Sequence, residues 1–250
     1  MGAWIEPQLS GGPGPLVKEQ IPAGYDSYLR VLHPVTDSAG VPVSWFDVAR
    51  VTGQTPHREM QWHSIVGSMV PHSLAGAEWV GPRPYLGELE QPALGVLSTI
   101  LAHHTKHADN CFFGFSTLYP EVEEAGLGYS LLSFPYREFV VLEGQLSHLE
   151  SDSTTADGQA DEVAAGNGSS ADGDILVDVF WGRAPNLMWP IDREWYVASE
   201  MDFDSTLIGG SSRLIEELMA ESRLETWVMD PGDSLADDAD RINQVKGQEA

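Results

Sequence analysis

The sequence predicts a single α+β domain in which N-terminal helices pack on a mixed or antiparallel sheet. Helical patterns come first along the chain and strand patterns follow, an order that argues against a regular doubly wound sheet. The chain has 250 residues, of which 42% are hydrophobic, and its 8 Trp, 7 Tyr and 8 Phe can supply a substantial core. A Gly- and Pro-rich start and an acidic tail flank the expected domain, residues 23–230. A second acidic, low-complexity tract is an insertion within it.

The first part of the chain predicts helices over residues 25–32, from Ser44 to Gly53, over residues 58–66 and from Pro92 onward. Pro34 would end the first of these, because the residue before a proline is pushed out of the helical region. Ser44 can cap the second by accepting a first-turn N–H, and Gly53 can close it. The helix after Pro92 is the clearest, since its leucines recur at helical spacing.

Strands are predicted over residues 111–116, 136–143, 174–181, 194–203 and 224–229. The segment 136–143 is apolar on both faces, which is typical of a central strand. The segment 194–203 alternates apolar with polar or acidic residues, as a half-buried strand does. Gly209 and Gly210 are predicted to end that strand, and Ser211 or Ser212 is predicted to cap a helix with one apolar side.

Three segments are predicted to lie outside the packed domain. Residues 1–22 lack periodicity and are expected to form a flexible arm. Residues 151–173 hold small and acidic side chains, with Val163 as the one sizeable apolar residue, and are expected to be a disordered insertion. Residues 231–250 are expected to be a disordered acidic tail.

Net charge is the strongest compositional signal, because 38 acidic and 13 basic residues give −25. Such a chain repels a phosphate backbone and an anionic membrane, so neither nucleic acid nor membrane binding is expected. The charge fits either a solubility or halotolerance adaptation or a basic protein partner. Cys111 is the single cysteine, which excludes an internal disulfide and agrees with a cytoplasmic location. No run is long enough to span a membrane, and no signal peptide is recognised.

Asp202, Phe203 and Asp204 resemble the nucleophile motif of haloacid-dehalogenase-type phosphatases. That resemblance implies a nucleophilic Asp202, an acid/base role for Asp204 and a shared magnesium ion. The segment 232–237 resembles the last acidic motif of that family. However, too few residues follow Asp204 to complete such a fold, and the segment between the two motifs contains no lysine. A metal-dependent hydrolase is therefore the alternative hypothesis, and a turn shaped by hydrogen bonds is the structural one.

Glu200, Asp202 and Asp204 would share one face of the strand predicted over residues 194–203. Three such carboxylates repel one another and need solvent, a cation or an Arg-rich partner. We therefore expect either a solvated outer face or an acidic binding face, with Trp195 as a candidate apolar anchor beside it.

His103, His104 and His107 form a second cluster that ends at Cys111. On a continuous helix His103 and His107 would lie four residues apart and could bind one metal ion. The alternative is that these histidines cap carbonyl groups or pack against the apolar residues before them. Beyond this weak metal candidate, the sequence indicates no cofactor.

Several segments resemble a family of acidic, uncharacterised actinobacterial proteins with no assigned activity. The similar pieces are residues 25–34, 44–49, 104–105 with 111–113, and 185–210. The resemblance implies one domain built from all of them and transfers no catalytic or binding residue. A more remote architectural analogy is to the α+β immunity proteins of bacterial toxin systems. We therefore expect an intracellular binding or regulatory protein, of immunity type in its most concrete form, whose acidic face engages a basic protein.

Overall fold

A large antiparallel sheet organises the chain and confirms the predicted α+β class. The computed structural model describes residues 2–10, 14–77, 79–125, 129–149 and 183–243. Within them the sheet has eight strands in the order β10-β1-β9-β8-β7-β4-β6-β5, and a separate two-stranded sheet pairs β2 with β3. The strands are β1 (Ser27–Leu32), β2 (Val35–Thr36), β3 (Pro42–Val43), β4 (Cys111–Ser116), β5 (Ser130–Phe134), β6 (Arg137–Gly144), β7 (Leu187–Pro190), β8 (Tyr196–Ala198), β9 (Ser205–Gly210) and β10 (Thr226–Met229).

Helices lie on both faces of this sheet. The described α-helices are α1 (Val17–Gln20), α2 (Trp45–Val51), α3 (Trp62–Ile65), α4 (Ala93–Ala102), α5 (Pro120–Ala125) and α6 (Ser212–Ala220), with 3₁₀ turns at Glu6–Gln8 and Leu146–Leu149. In the described ranges no helix combines the length and the apolar character needed to cross a membrane.

Helix caps were among the features predicted correctly. The Ser44 side chain accepts a hydrogen bond from the Asp47 N–H and starts α2, and the Ser211 side chain does the same for Leu214 in α6. Gly53, just after α2, has a φ of 75°, which a side chain would disfavour. Helix α4 and strands β4, β6 and β10 also lie where the sequence predicts them.

Residues 25–32 are a strand and not the predicted helix. Strand β1 pairs with β9 on one side and β10 on the other, and it is therefore central. Leu29 and Val31 bury into one face of the sheet, whereas Arg30 lies buried on the other. A short segment buried on both faces loses the alternation that identifies a strand, so its apolar residues also fit helical spacing.

Residues 194–203 do not form one strand as predicted. They contain β8 and then a turn, and a second strand, β9, follows and includes Gly209 and Gly210, which were predicted to end the first. A Cβ atom at Gly209 would lie 2.6 Å from side-chain atoms of Ile21 and Tyr25. This glycine therefore permits close packing inside a central strand and does not mark a turn. Strands β5 and β7 were not predicted at all.

Both ends of the described chain pack on the domain, in contrast to the flexible arm and tail that the sequence predicts. Ile5, Val17 and Ile21 are buried, and so is Leu235. The two ends also contact each other, since Leu16 and Ser234 form an isolated β-bridge. Their apolar residues are spaced too irregularly for sequence periodicity to reveal them. The predicted insertion at 151–173, the predicted strand at 174–181 and residues 244–250 lie outside the described residues.

Three apolar clusters make up the core of the described part of the chain. On one face of the sheet, α4 and α6 pack against β1, β4 and β9. On the other face, the N-terminal segment covers Trp189 and Tyr196. A third cluster joins α2 and α3 to the end of β1 through Trp45, Trp62 and Leu32. The third cluster borders the candidate site.

Candidate functional site

A groove lies where the end of β1, the β2–β3 hairpin, the start of α2, the start of α4 and the α6–β10 connection meet. It encloses about 680 Å³, a volume within the range of ligand pockets. We call it the α2 groove. Its buried lining residues are Leu32, Val35, Trp45, Ala93, Val96 and Leu224, and its exposed ones include Pro34, Pro42, Phe46, Pro92 and Ser222.

The floor of the α2 groove is apolar and rigidly held. Trp45 is 1% exposed, and its Nε1 donates to the His33 carbonyl oxygen at 3.1 Å. Phe46 in the rim is 46% exposed, and the Arg50 guanidinium lies over its ring at 5.8 Å from the centroid. A buried apolar floor with exposed apolar residues at its rim is typical of sites that hold a ligand or a peptide segment.

His33 lines the α2 groove but is fully engaged inside the protein. Its Nδ1 lies 2.6 Å from the Tyr85 carbonyl oxygen, which can only accept, so Nδ1 carries the proton. Its Nε2 therefore accepts from the Thr206 hydroxyl at 2.9 Å, and Thr206 bonds Ser199 at 2.7 Å. Burial lowers the pKa of His33 to about 4, although its bond to Tyr85 opposes the shift. This histidine is neutral near pH 7 and supports the wall of the groove.

Glu225 brings a carboxylate to the mouth of the α2 groove. Its Oε2 accepts from the Trp45 N–H at 2.7 Å and its Oε1 from the Phe46 N–H at 2.8 Å. Burial raises the pKa of Glu225, these hydrogen bonds lower it, and the nearby Asp47 carboxylate raises it further, with a net rise. Glu225 is therefore a fixed, partly desolvated acid beside an apolar surface.

A second, smaller pocket lies at the turn between β8 and β9. We call it the Asp204 pocket, and it is lined by residues that include His63, His72, Arg83, Asp202, Asp204 and Asp237. It encloses about 20 Å³, which is room for roughly one water molecule. A substrate would need the surrounding loops to move apart.

Asp204 is the most buried acid of this pocket and is paired inside the protein. Arg30, which is 0% exposed, contacts its Oδ1 at 3.3 Å. The Arg30 guanidinium also donates to Ser205 and to the carbonyl oxygens of Arg58 and Met60. Burial raises the pKa of Asp204, and Arg30 offsets that rise only in part. These bonds fasten the 58–60 loop to the sheet, so the pair has a clear structural role.

Two histidines of the Asp204 pocket were not considered from the sequence. His72 Nε2 lies 3.4 Å from Asp237, and its φ of 55° is uncommon for a non-glycine residue. Burial lowers the pKa of His63, whereas Asp237 and Asp204 raise it. The indole Nε1 of Trp62, also in the pocket wall, has no hydrogen-bond partner among the described residues. Trp62 and His63 lie in α3 and His72 follows in the next loop, whereas Asp237 comes from a segment distant in the chain, so the sequence spacing does not reveal the pocket.

The acidic face expected from Glu200, Asp202 and Asp204 is not formed. Glu200 contacts Arg137, Asp204 contacts Arg30, and Asp202 alone is exposed, at the tip of the turn. Trp195 is 0% exposed, and its Nε1 donates to the Leu101 carbonyl oxygen at 3.1 Å. The alternation was misleading because the strand ends at Ala198, and residues in a turn do not share a face.

The histidine cluster forms contacts between helices. His104 Nε2 lies 2.8 Å from Glu217 of α6, and His103 lies 3.9 Å from the same carboxylate. Helix α4 ends at Ala102, so the helical spacing assumed for His103 and His107 is absent. Across the described ranges no group of three or more His, Cys, Asp or Glu is placed to hold a metal ion. Cys111 is buried, and burial raises its thiol pKa to about 12, which leaves it protonated.

Comparison of the chain with protein-family models, curated proteins and solved structures gives no match. The resemblance to an actinobacterial family therefore stays an expectation. The function proposed for this chain therefore rests on the geometry of its own residues.

Proposed function

We propose that this protein is a binding protein that holds an apolar segment of a basic protein partner in the α2 groove. The observation that carries the proposal is the groove of about 680 Å³ with a buried apolar floor. The partner is basic, as expected from the sequence, but it contacts the α2 groove and not Glu200, Asp202 and Asp204. A cytoplasmic location and a regulatory role, with toxin immunity as the most concrete form, complete it.

An apolar segment suits the groove because its lining is mostly apolar, with Pro34, Pro42 and Phe46 exposed at the rim, and offers few free polar groups. The two nitrogens of His33 and the indole nitrogen of Trp45 already have partners within the protein. Burying one large aliphatic or aromatic side chain there would contribute roughly 1.5–3 kcal/mol. Two such side chains from one segment could supply the anchor that most of the affinity of an interface depends on.

A basic partner suits the charge of the chain, which is −25 overall. The field of such a protein accelerates encounter with a cationic partner and repels fatty acids and other anionic amphiphiles. The Glu225 carboxylate also lines the groove, and Asp47 lies close enough to raise the pKa of Glu225. A polypeptide segment with Lys or Arg beside apolar residues satisfies both requirements, whereas a neutral apolar small molecule satisfies only one.

The test is selection of binders from a displayed library of random short peptides against the purified protein. We expect enrichment of sequences that combine apolar residues with Lys or Arg, and affinities that fall as salt rises. Phe46→Ala should weaken the best peptide about tenfold or more, because it removes a rim aromatic. Fluorescence polarisation of labelled peptides measures the effect.

Val51→Ala is the matched control, because Val51 belongs to the same helix, is 86% exposed and does not line the groove. It should leave peptide affinity unchanged. If no peptide is enriched, or if Phe46→Ala and Val51→Ala behave alike, the groove is not the binding site. Enrichment of acidic peptides would contradict the charge argument.

A metal-dependent hydrolase that uses Asp202 and Asp204 is the second candidate. One observation favours it, namely that His63 and His72 line the same pocket as both aspartates. Imidazole next to carboxylate is a common arrangement for acid–base chemistry. The volume of the Asp204 pocket, about 20 Å³, argues against a hydrolase, because a substrate does not fit in it.

A further inference from the structure

Among the described residues, Glu225 is the one acid that both lines the α2 groove and is fixed by the fold. We propose that Glu225 is the specificity-determining residue of the groove, and that it selects an occupant with a Lys or Arg side chain next to its apolar residues. The inference rests on the proposed function and deepens it.

The position of the Glu225 carboxylate is set by two backbone hydrogen bonds. They tie its oxygens to the N–H groups of Trp45 and Phe46 at 2.7 and 2.8 Å. The backbone of Glu225 is also held, because its carbonyl oxygen accepts from the Leu32 N–H at 2.9 Å. Each carboxylate oxygen can accept a further hydrogen bond. The carboxylate is thus preorganised, and a donor that reaches it does not have to order it first.

Glu225 has no cationic partner in the described part of the chain. No ion pair found there includes it. Arg223 lies two residues away and lines the groove, but it bonds both oxygens of Glu221, at 2.8 and 2.7 Å. Arg50 lies over the Phe46 ring. A partly buried carboxylate close to Asp47 and without a cation gains from any positive charge that an occupant brings.

Lys and Arg fit this place better than other cations. Their aliphatic stems can lie along apolar surface while the charged head reaches an acceptor at the rim. The α2 groove offers that combination, since Phe46, which is exposed at the rim, lies next to the Glu225 carboxylate that its N–H contacts. A free inorganic cation or a small amine would gain the charge contact with Glu225 but would make no contact with the apolar lining of the groove.

The test uses the tightest peptide from the selection and its analogues in which each Lys or Arg is replaced, one at a time, by norleucine. One replacement should weaken binding to the wild-type protein about tenfold. The same replacement should have no effect on binding to Glu225→Gln, because the acceptor charge is already gone. This double comparison isolates the pairing of the two residues.

Asp26→Asn is the control for net charge, because Asp26 is exposed and does not line the groove. It should leave the norleucine effect intact. Near-ultraviolet circular dichroism checks that Glu225→Gln keeps the native fold. If that variant does not fold, equal affinity of the Lys and norleucine peptides for the wild-type protein still overturns the inference. If peptides bind but their affinity does not depend on a Lys or Arg, only the role of Glu225 is refuted and the proposed function stands. If no peptide binds, the proposed function is refuted.

Discussion

The α2 groove and the Asp204 pocket differ in whether the charged and apolar groups that line them already have partners inside the protein. In the Asp204 pocket the central charge is paired, since Arg30 contacts Asp204 and also donates to two backbone carbonyls. In the α2 groove the polar atoms of the wall are largely engaged, but Pro34, Pro42 and Phe46 are exposed at the rim and Glu225 has no cation among the described residues. The central charge of the more charged region is thus already paired within the protein. A dense cluster of ionisable residues indicates a function only where its partners are missing.

The largest expected effect follows from breaking the pair of Arg30 and Asp204. Arg30→Met should destabilise the protein by roughly 3–5 kcal/mol, because it leaves the buried Asp204 carboxylate without its cation. The Arg58 and Met60 carbonyl oxygens would lose their donor as well. Urea denaturation at pH 7 measures the change in the free energy of unfolding.

Two further variants make this result specific. Adding Asp204→Leu to Arg30→Met should restore part of the stability, since it removes the unpaired acid. Arg223→Met breaks an exposed pair with Glu221 and should have no measurable effect. A small loss in Arg30→Met would show that Asp204 is not sealed from solvent, and the pocket would become a stronger functional candidate.

The sequence predicted the class of the fold because caps and long helices leave local signals. Ser44 and Ser211 start their helices as expected, through bonds to residues three positions ahead. Segments buried on both faces were harder, since residues 25–32 and Gly209 owe their conformation to neighbouring strands and not to their own pattern. Tertiary pairing overrides local preference in such segments.

The candidate site was less predictable than the fold. The α2 groove takes its lining from four stretches of the chain, 32–35, 42–46, 92–96 and 222–225, and none of them contains a recognised motif. The prolines and apolar residues of these stretches are too common in sequences to identify a groove. The Asp202 and Asp204 motif was visible, but its pairing with Arg30 depends on long-range contacts that the sequence does not show.

A pH effect similar in size to that of Arg30→Met is expected at His33, which lies in the wall of the α2 groove. The pKa of His33 is about 4 in the folded protein, below the ordinary value of 6.5, chiefly because the ring is buried. Between these values the unfolded chain binds a proton that the folded chain does not, so stability falls as pH falls. This residue alone should cost roughly 3 kcal/mol between pH 7 and pH 4.

The free energy of unfolding measured across this pH range, for the wild-type protein and for His33→Gln, isolates the contribution. Glutamine can keep a donor and an acceptor but does not titrate, so the variant should show the shallower loss. Parallel curves for the two proteins would mean that His33 is solvated, and the wall of the α2 groove would then be looser than the structure shows.

The smallest effect is expected at Asp202, the exposed acid of the Asp204 pocket. Asp202→Asn should change stability by no more than about 0.5 kcal/mol, because the side chain lies at the surface of a turn. It should also leave peptide binding to the α2 groove unchanged. The same variant separates the two candidate functions, since a phosphatase would use Asp202 as its nucleophile. Hydrolysis of a phosphate monoester is therefore measured with and without magnesium for wild type and variant. Magnesium-dependent activity that disappears in Asp202→Asn would make the Asp204 pocket the functional site and would reverse the contrast between the two regions.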